Sequence, residues 1–230
     1  PLPSHWRELH WGDALDAGRR QLQALRELVG TSVEIGLDAH AQQFEPWRAI
    51  ELANALAEYR PTFIEEPLRM ENRAVMAGLR RRYPVPLATG ECLYTKFEFE
   101  ELISVDGVDL IQPDILMCGG MSEIWKIAAI AEARDVSVAP HNPNGPLATI
   151  SSAHFAIATT NCTILEYRPP TDDEMAMVRG GKTPINGYIE LDDSPGWGID
   201  LDEAAITARP PQFNRYRVDR FNPDKSVAFS

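Results

Sequence analysis

From residue 13 onward, helical periodicity alternates with short apolar runs rich in β-formers. Leu22, Leu25 and Val29 recur at i, i+3 and i+7 and stop at Gly30, predicting a helix over 13–29 followed by a strand over 33–37. Pro46 sits where a first-turn proline belongs, Ile50, Ala53 and Ala57 repeat at helical spacing, and Pro61 breaks the pattern before an apolar run at 62–64. The cycle continues with helices near 72–81 and 96–104 and strands at 86–89 and 108–111. Gly119 and Gly120 then open a helix with Ile124, Ile127, Ala128 and Ala131 in phase, and a strand follows at 136–139. Gly145 and Pro146 start a further helix, and 163–165 reads as a last short strand. Repetition of this kind predicts βα units around a parallel sheet, an α/β fold. After residue 170 the rhythm ends in a polar loop, a strand over 185–191, a Pro195-Gly196 turn and a Pro-rich tail. The chain therefore divides into barrel strands and helices over 1–170 and a return segment with its tail over 171–230.

Composition narrows the function classes. The 230 residues include 34 acidic and 22 basic side chains, a net charge of −12, with 44% hydrophobic positions and three cysteines. Such a balance excludes collagen-like, low-complexity and disulfide-scaffold proteins. Acidity with scattered arginines offers no basic stripe for nucleic acid or an anionic membrane surface, so a small molecule or another subunit is the expected partner. No apolar stretch approaches the ~18 residues of a membrane span. Cys92, Cys118 and Cys162 form no Cys-x-x-Cys pair and read as buried or free thiols of a reducing, cytoplasmic setting. The chain starts at Pro1 without an apolar leader, so the expectation is that processing or truncation has set its start.

Polar residues close the successive predicted strands: Asp38, Glu65, Glu91, Asp114, His141 and Glu166, at steps of 27, 26, 23, 27 and 25 residues. Each step is one strand plus one crossover helix, and in a parallel barrel the C-terminal strand ends share one mouth. Any one of these residues alone would read as a helix cap or a solvated loop charge; six in rhythm predict a common pocket. Three carboxylates brought together need a cation between them, and hard oxygen donors favour Mg²⁺. Asp38, Glu65 and Glu91 are the candidate ligands, one ion per site, with Glu66 a rival because alternation alone does not say which face of 63–66 meets the mouth. His40, two residues past Asp38, points the same way if the strand extends that far. His141 and Asp114 on neighbouring strands make a candidate general base, the carboxylate fixing the imidazole tautomer. His5 and His10 have no such setting, and His154, inside an apolar helix, reads as a packed core histidine. Arg69 and Arg168 lie near strand ends where a substrate carboxylate could bind, although a loop arginine is more often solvated. Trp47, Trp125 and Trp197 read as packing residues.

The strings Gly36-Leu37-Asp38-Ala39-His40, Phe63-Ile64-Glu65-Glu66-Pro67, Thr89-Gly90-Glu91, Ile111-Gln112-Pro113-Asp114, Gly119-Gly120 and Pro140-His141-Asn142 together resemble the mandelate racemase-like branch of the enolase superfamily. Within that branch the Asp-x-His string is most similar to the D-galactonate dehydratase-type acid sugar dehydratases. The resemblance runs from about residue 13 to 200. It implies a modified (β/α)₇β TIM-like barrel, one Mg²⁺ on Asp38, Glu65 and Glu91 in preference to Glu66, His141 with Asp114 as base, and His40 as acid. Glu166 is implied as a hydrogen-bonding group for the substrate carboxylate or the developing enolate, and the assembly as a homo-oligomer. Family members carry an N-terminal capping domain and two barrel strands ahead of the Asp-bearing strand, whereas about 30 residues precede it here, and the first lysine is Lys96, so no Lys-x-Lys strand is found. The expectation is a chain holding the last six barrel strands, with an exposed strand edge at 33–37.

The hydrogen beside a carboxylate is weakly acidic, so its removal calls for a base next to a metal. The implied reaction is Mg²⁺-dependent dehydration of a sugar acid: α-proton abstraction to an enediolate, then loss of the 3-hydroxyl to give a 2-keto-3-deoxy acid. A racemase or epimerase of a 2-hydroxy acid would use the same scaffold but needs a second acid/base across the substrate. A non-catalytic metal-binding barrel would have no need of a His-Asp dyad, and a zinc hydrolase would want histidine ligands.

Overall fold

The computed structural model describes residues 10–41, 43 and 45–209. Five strands, β1 (Gly36–Asp38), β2 (Phe63–Glu65), β3 (Leu87–Thr89), β4 (Leu110–Ile111) and β5 (Ser137–Val138), form a parallel sheet in chain order. A parallel bridge from Val138 to Cys162 sets a sixth extended segment beside β5. Its hydrogen bonds run from Val138 N to Asn161 O and from Thr163 N to Val138 O, both 2.9 Å. Helix α1 (Trp11–Val29) precedes β1, and α2 (Pro46–Leu56), α3 (Arg73–Arg80), α4 (Thr95–Ser104), α5 (Met121–Glu132) and α6 (Pro146–Ile157) follow the strands in turn. This is the α/β arrangement of a TIM-like barrel wall, in which consecutive parallel strands deliver their C-terminal ends to one rim.

Register fixes the side-by-side placement of the rim residues. Gly36 lies opposite Phe63 and Asp38 opposite Glu65, while Glu65 lies opposite Ala88. The largest core cluster lies between the sheet and α3–α6, with Phe99, Leu102, Ile111, Ile124, Ile127 and Phe155 fully buried. Each contributes ~1.5–3 kcal/mol of apolar burial beneath the rim. Proline at the first turn starts α2 and α6, as expected, and Asn72 caps α3 by accepting from Val75 N.

Several sequence expectations are corrected. The inward face of α1 is Ala14, Gly18 and Leu22, whereas Leu25 is 39% exposed. The helix packs against α2 at the β1 edge of the sheet, and Leu25 lines an open cavity of about 750 Å³ with Gly18, Leu22, Leu37 and Leu52. The strand expected over 163–165 is reduced to the bridge at Cys162. The one expected over 185–191 is instead a tight hairpin turn: Ile185 and Tyr188 exchange both backbone hydrogen bonds across Asn186 and Gly187, whose φ values of 51° and 84° suit an Asn-Gly turn. The return segment adds α7 (Asp172–Ala176), closed by a Thr171–Glu174 capping box, an antiparallel pair β6 (Val178–Arg179) and β7 (Asp200–Leu201), and α8 (Glu203–Thr207). His154 is partly exposed and faces the Trp197 carbonyl at 3.4 Å, so it is not a core residue. Trp47, Trp125 and Trp197 are 50%, 48% and 41% exposed. Trp47 meets Trp11 edge-on at 6.1 Å, with the Arg48 guanidinium 5.2 Å from each ring. His5 and the Pro-rich tail lie outside the described residues, and among those described no helix is long and apolar enough to cross a membrane.

Gly90, at the end of β3, has φ +135°, and a Cβ there would come within 2.9 Å of the Phe99 ring and 3.1 Å of Gln112 N. Gly90→Ala is expected to cost ~1–3 kcal/mol, because both backbone strain and a close contact with the neighbouring strand oppose it. Urea denaturation of the variant checks this; an unchanged midpoint would show that the strand end relaxes freely.

Candidate active site

At the end of β1 the chain leaves the strand at once. Asp38 Oδ1 accepts from His40 N at 2.6 Å, and His40 and Ala41 adopt left-handed φ values of 52° and 50°. Strand alternation therefore does not reach His40; a side-chain-capped turn holds it beside Asp38, where its charge acts on the carboxylate. Close packing and the nearby Glu91 carboxylate lift Asp38 above the ordinary aspartate range, against the pull of the His40 amide.

Glu65 stands in register with Asp38. Burial, reinforced by Asp38, Glu91 and Glu166, pushes it up to about 8, although the Gln112 side chain hydrogen-bonds it. Glu66, the rival ligand, is 2% exposed, and its carboxylate accepts from Thr89 Oγ1 and from Gly90 N. Its burial, partly offset by the Thr89 hydrogen bond, raises it to about 7.

His141, just beyond β5, lies between two acids. Its Nδ1 is 2.9 Å from Asp114 Oδ2 and its Nε2 is 3.4 Å from Glu91 Oε2. Burial opposes the imidazolium, but the Asp114 hydrogen bond and the charges of Glu91 and Glu166 overcome it and raise His141 to about 9. Asp114 is nearly inaccessible; its Oδ1 accepts from Leu116 N at 2.7 Å and its Oδ2 also accepts from Asn144 Nδ2 at 2.9 Å. Burial would raise this carboxyl, yet the hydrogen bonds from His141, Asn144 and Leu116 hold it below the ordinary range. Glu166 Oε2 accepts from Asn142 N at 2.7 Å, and Glu166 N donates to Pro140 O at 3.3 Å, which brings the sixth rim position beside His141.

Asp38, His40, Glu65, Glu91, Asp114, His141 and Glu166 thus share one electrostatic neighbourhood. Among the described residues no three His, Cys, Asp or Glu side chains close into a metal cage. Each acid of the expected triad instead leans on a protein partner: Asp38 on the His40 amide, Glu65 on Gln112, Glu91 on His141. The donor set nevertheless suits a hard divalent cation, since the neighbouring carboxylates help raise Asp38 and Glu65 and a cation among these oxygen donors would reverse that effect. Gln112 and Asn142 stand within the motif strings, but the sequence assigns no role to them or to Asn144. Their signal was position, within three residues of a strand-closing acid or base.

Arg168 is committed elsewhere. Its guanidinium makes a two-pronged contact with Glu174, at 2.6 and 3.1 Å, and its Nε donates to Pro143 O at 2.6 Å, so it ties the return segment to the 141–144 loop. Arg69 pairs with Glu71 at 2.6 Å. The three cysteines are free, and burial raises their thiols to about 11, 12 and 11 for Cys92, Cys118 and Cys162. They are protonated at neutral pH and supply no thiolate.

A β/α barrel domain with acids and a His-Asp pair along its strand-end rim is the class of protein these observations define. Residues 7–205 match the family model described as enolase C-terminal domain-like, and the chain belongs to that family. It is 35% identical over 211 residues to a D-galactonate dehydratase of Ralstonia pickettii (strain 12J), covering 89% of this chain and 55% of the relative. To a D-galactonate dehydratase of Ralstonia nicotianae it is 36% identical over 227 residues, covering 94% and 58%. Among solved structures, an enolase from Agrobacterium radiobacter, a candidate galactarate dehydratase bound to Na and L-malate, superimposes with TM-score 0.89 at 44% identity, covering 96% of this chain and 60% of that one. A mandelate racemase/muconate lactonizing enzyme from Jannaschia sp. CCS1 gives TM-score 0.83 at 32% identity, covering 88% and 52%. The chain thus spans less than two thirds of the length of these relatives.

The raised groups carry a pH signature. Glu65 and Glu66 keep their protons in the folded chain to about 8 and about 7 against an ordinary 4.5, and His141 keeps its proton to about 9 against 6.5. Over these intervals the folded state binds more protons than the unfolded state, so stability falls as pH rises. Asp114, held low, acts in the opposite sense only at the acid end. The metal-free melting temperature is expected to decline between about pH 5 and about pH 9, and saturating Mg²⁺ to flatten that decline. Differential scanning calorimetry across that range checks both; a rising profile without metal would contradict the reading.

Proposed function

We propose that this chain carries the acid/base groups of a Mg²⁺-dependent sugar acid dehydratase. The observation that carries the reading is His141: Asp114 holds its Nδ1, and its Nε2 faces the carboxylates of the rim. Asp38, Glu65 and Glu91 would hold the cation. When bound, it would supply charge neutralisation for those three acids and for a substrate carboxylate as negative charge develops there.

The protein's own part follows from its hydrogen bonds. Neutral His141 takes the proton from the carbon beside the carboxylate through Nε2, while Asp114 keeps Nδ1–H directed away from the substrate and stabilises the imidazolium. Asn144 and the Leu116 amide hold Asp114 in place for this, leaving its carboxylate little freedom to turn. Glu166, fixed by the Asn142 amide, offers its remaining acceptor capacity toward the substrate. His40, on its left-handed turn next to Asp38, gives a proton to the departing 3-hydroxyl, which leaves as water. The resulting enol tautomerises to a 2-keto-3-deoxy acid. The names of the Ralstonia relatives support a sugar acid as substrate.

Proton NMR in D₂O, with Mg²⁺ and a panel of aldonates and aldarates, tests the assignment. A new 3-deoxy methylene signal is expected. His141→Asn should abolish both that signal and α-proton exchange, a loss of ~10²–10⁴-fold in rate, whereas His40→Asn should lose the methylene signal and retain exchange. Exchange with inversion and no methylene would replace dehydration by racemisation or epimerisation. Silence across the panel with intact metal binding would leave a non-catalytic barrel.

A further inference from the structure

Glu66 is a buried acid to which the proposed chemistry assigns no part, and it touches three strand ends at once. Its backbone N donates to Ala88 O at 3.0 Å and its carbonyl accepts from Ala41 N at 2.8 Å. The Oε1 atom accepts both from the Thr89 hydroxyl and from Gly90 N. Ala41 belongs to the turn that begins at Asp38, and Thr89 and Gly90 lead directly into Glu91. Glu65, its own neighbour, ends β2. One residue therefore fastens the segments bearing all three acids of the proposed cation site. The residue also occupies a left-handed conformation, φ 43°, that a glutamate adopts only where surrounding contacts enforce it.

We propose that Glu66 is a positioning residue: its carboxylate clamps Thr89 and Gly90, and its carbonyl holds the turn after Asp38, so that Asp38, Glu65 and Glu91 are spaced to receive a divalent cation. The clamp works against a fixed wall. Gly90 is closely backed by the Phe99 ring and the Gln112 backbone, and its amide is held by Glu66, which together leave the segment before Glu91 little freedom. Glu66 acts through hydrogen-bond acceptance. A glutamine, with one carbonyl oxygen in the place of Oε1, can accept from the same two donors, while an alanine leaves the Thr89 hydroxyl and the Gly90 amide without an acceptor. Partners one step behind metal ligands commonly tune affinity in this way.

The inference rests on the proposed cation site, and the test separates the two. Mn²⁺ affinity is measured directly, by electron paramagnetic resonance of free Mn²⁺, in wild type, Glu66→Ala, Glu66→Gln and Thr89→Val, with circular dichroism confirming that each is folded. Expected are a ~10–100-fold weaker Kd for Glu66→Ala, near-wild-type binding for Glu66→Gln, and a smaller loss for Thr89→Val. Unchanged binding in folded Glu66→Ala overturns the inference and leaves the cation site standing. Equal losses in Glu66→Gln and Glu66→Ala overturn it as well, since the charge of Glu66 would then matter in place of its hydrogen bonds. If Glu66→Ala does not fold, unchanged affinity in Thr89→Val overturns the clamp. A wild type that binds no Mn²⁺ removes the cation site and this inference with it.

Discussion

Parallel pairing of β1 with β2 puts Asp38 directly beside Glu65, and much of the rim's chemistry responds to that crowding of like charge. Glu91 and Glu166 add to it, and burial of Glu65 weakens the screening of that crowding at its carboxylate. The molecule has two internal answers. One is to keep protons on acids that would otherwise ionise; the other is to recruit a cationic imidazole, as His141 is drawn toward Glu91 while its far side is held by Asp114. Base strength and carboxylate crowding are thus one electrostatic problem seen from two ends. A histidine raised this far becomes a base only once the acids around it are compensated, so proton transfer and charge compensation at this rim are coupled.

Much of this was legible in the order of residues because barrel geometry converts a regular interval into a shared location. The six strand-closing residues needed only the assumption of parallel βα units, and the helices that begin at Pro46 and Pro146 start where the proline pattern places them. What could not be read follows from interactions without a period. The conformation of His40 depends on Asp38 capping its own turn, and the burial of Glu66 depends on Thr89 in the next strand. Alternation left Glu65 and Glu66 equivalent, and the left-handed turn at Glu66, with its bonds to Thr89 and Gly90, has no signal in that period. Asn144 is a further case: a loop asparagine gains its meaning only when folding brings it to an aspartate 30 residues earlier.

The misread segments share a cause as well. Apolar residues at 185–191 suggested a strand, yet the left-handed Asn186-Gly187 pair folds the chain back on itself before one can form. Leu25 matched the helical period of α1 but stands at the sheet edge, where periodicity predicts a face and not what covers it. Arg168 had the position of a ligand-binding arginine; the capping box of α7 brings Glu174 to it, and a planar guanidinium is satisfied by a two-pronged carboxylate.

The separation between the apolar cluster and the rim has a bearing on how such a domain changes over time. Phe99, Ile111, Ile124 and Phe155 lie in the layer between sheet and helices, while each acid or imidazole sits at the end of its own βα unit. A replacement at one strand end can therefore alter the chemistry of the mouth with small effect on the packing that keeps the chain folded. The architecture leaves natural variation free to exchange reactive groups one unit at a time, and clamps such as Glu66, which join several units, are the points where that freedom stops.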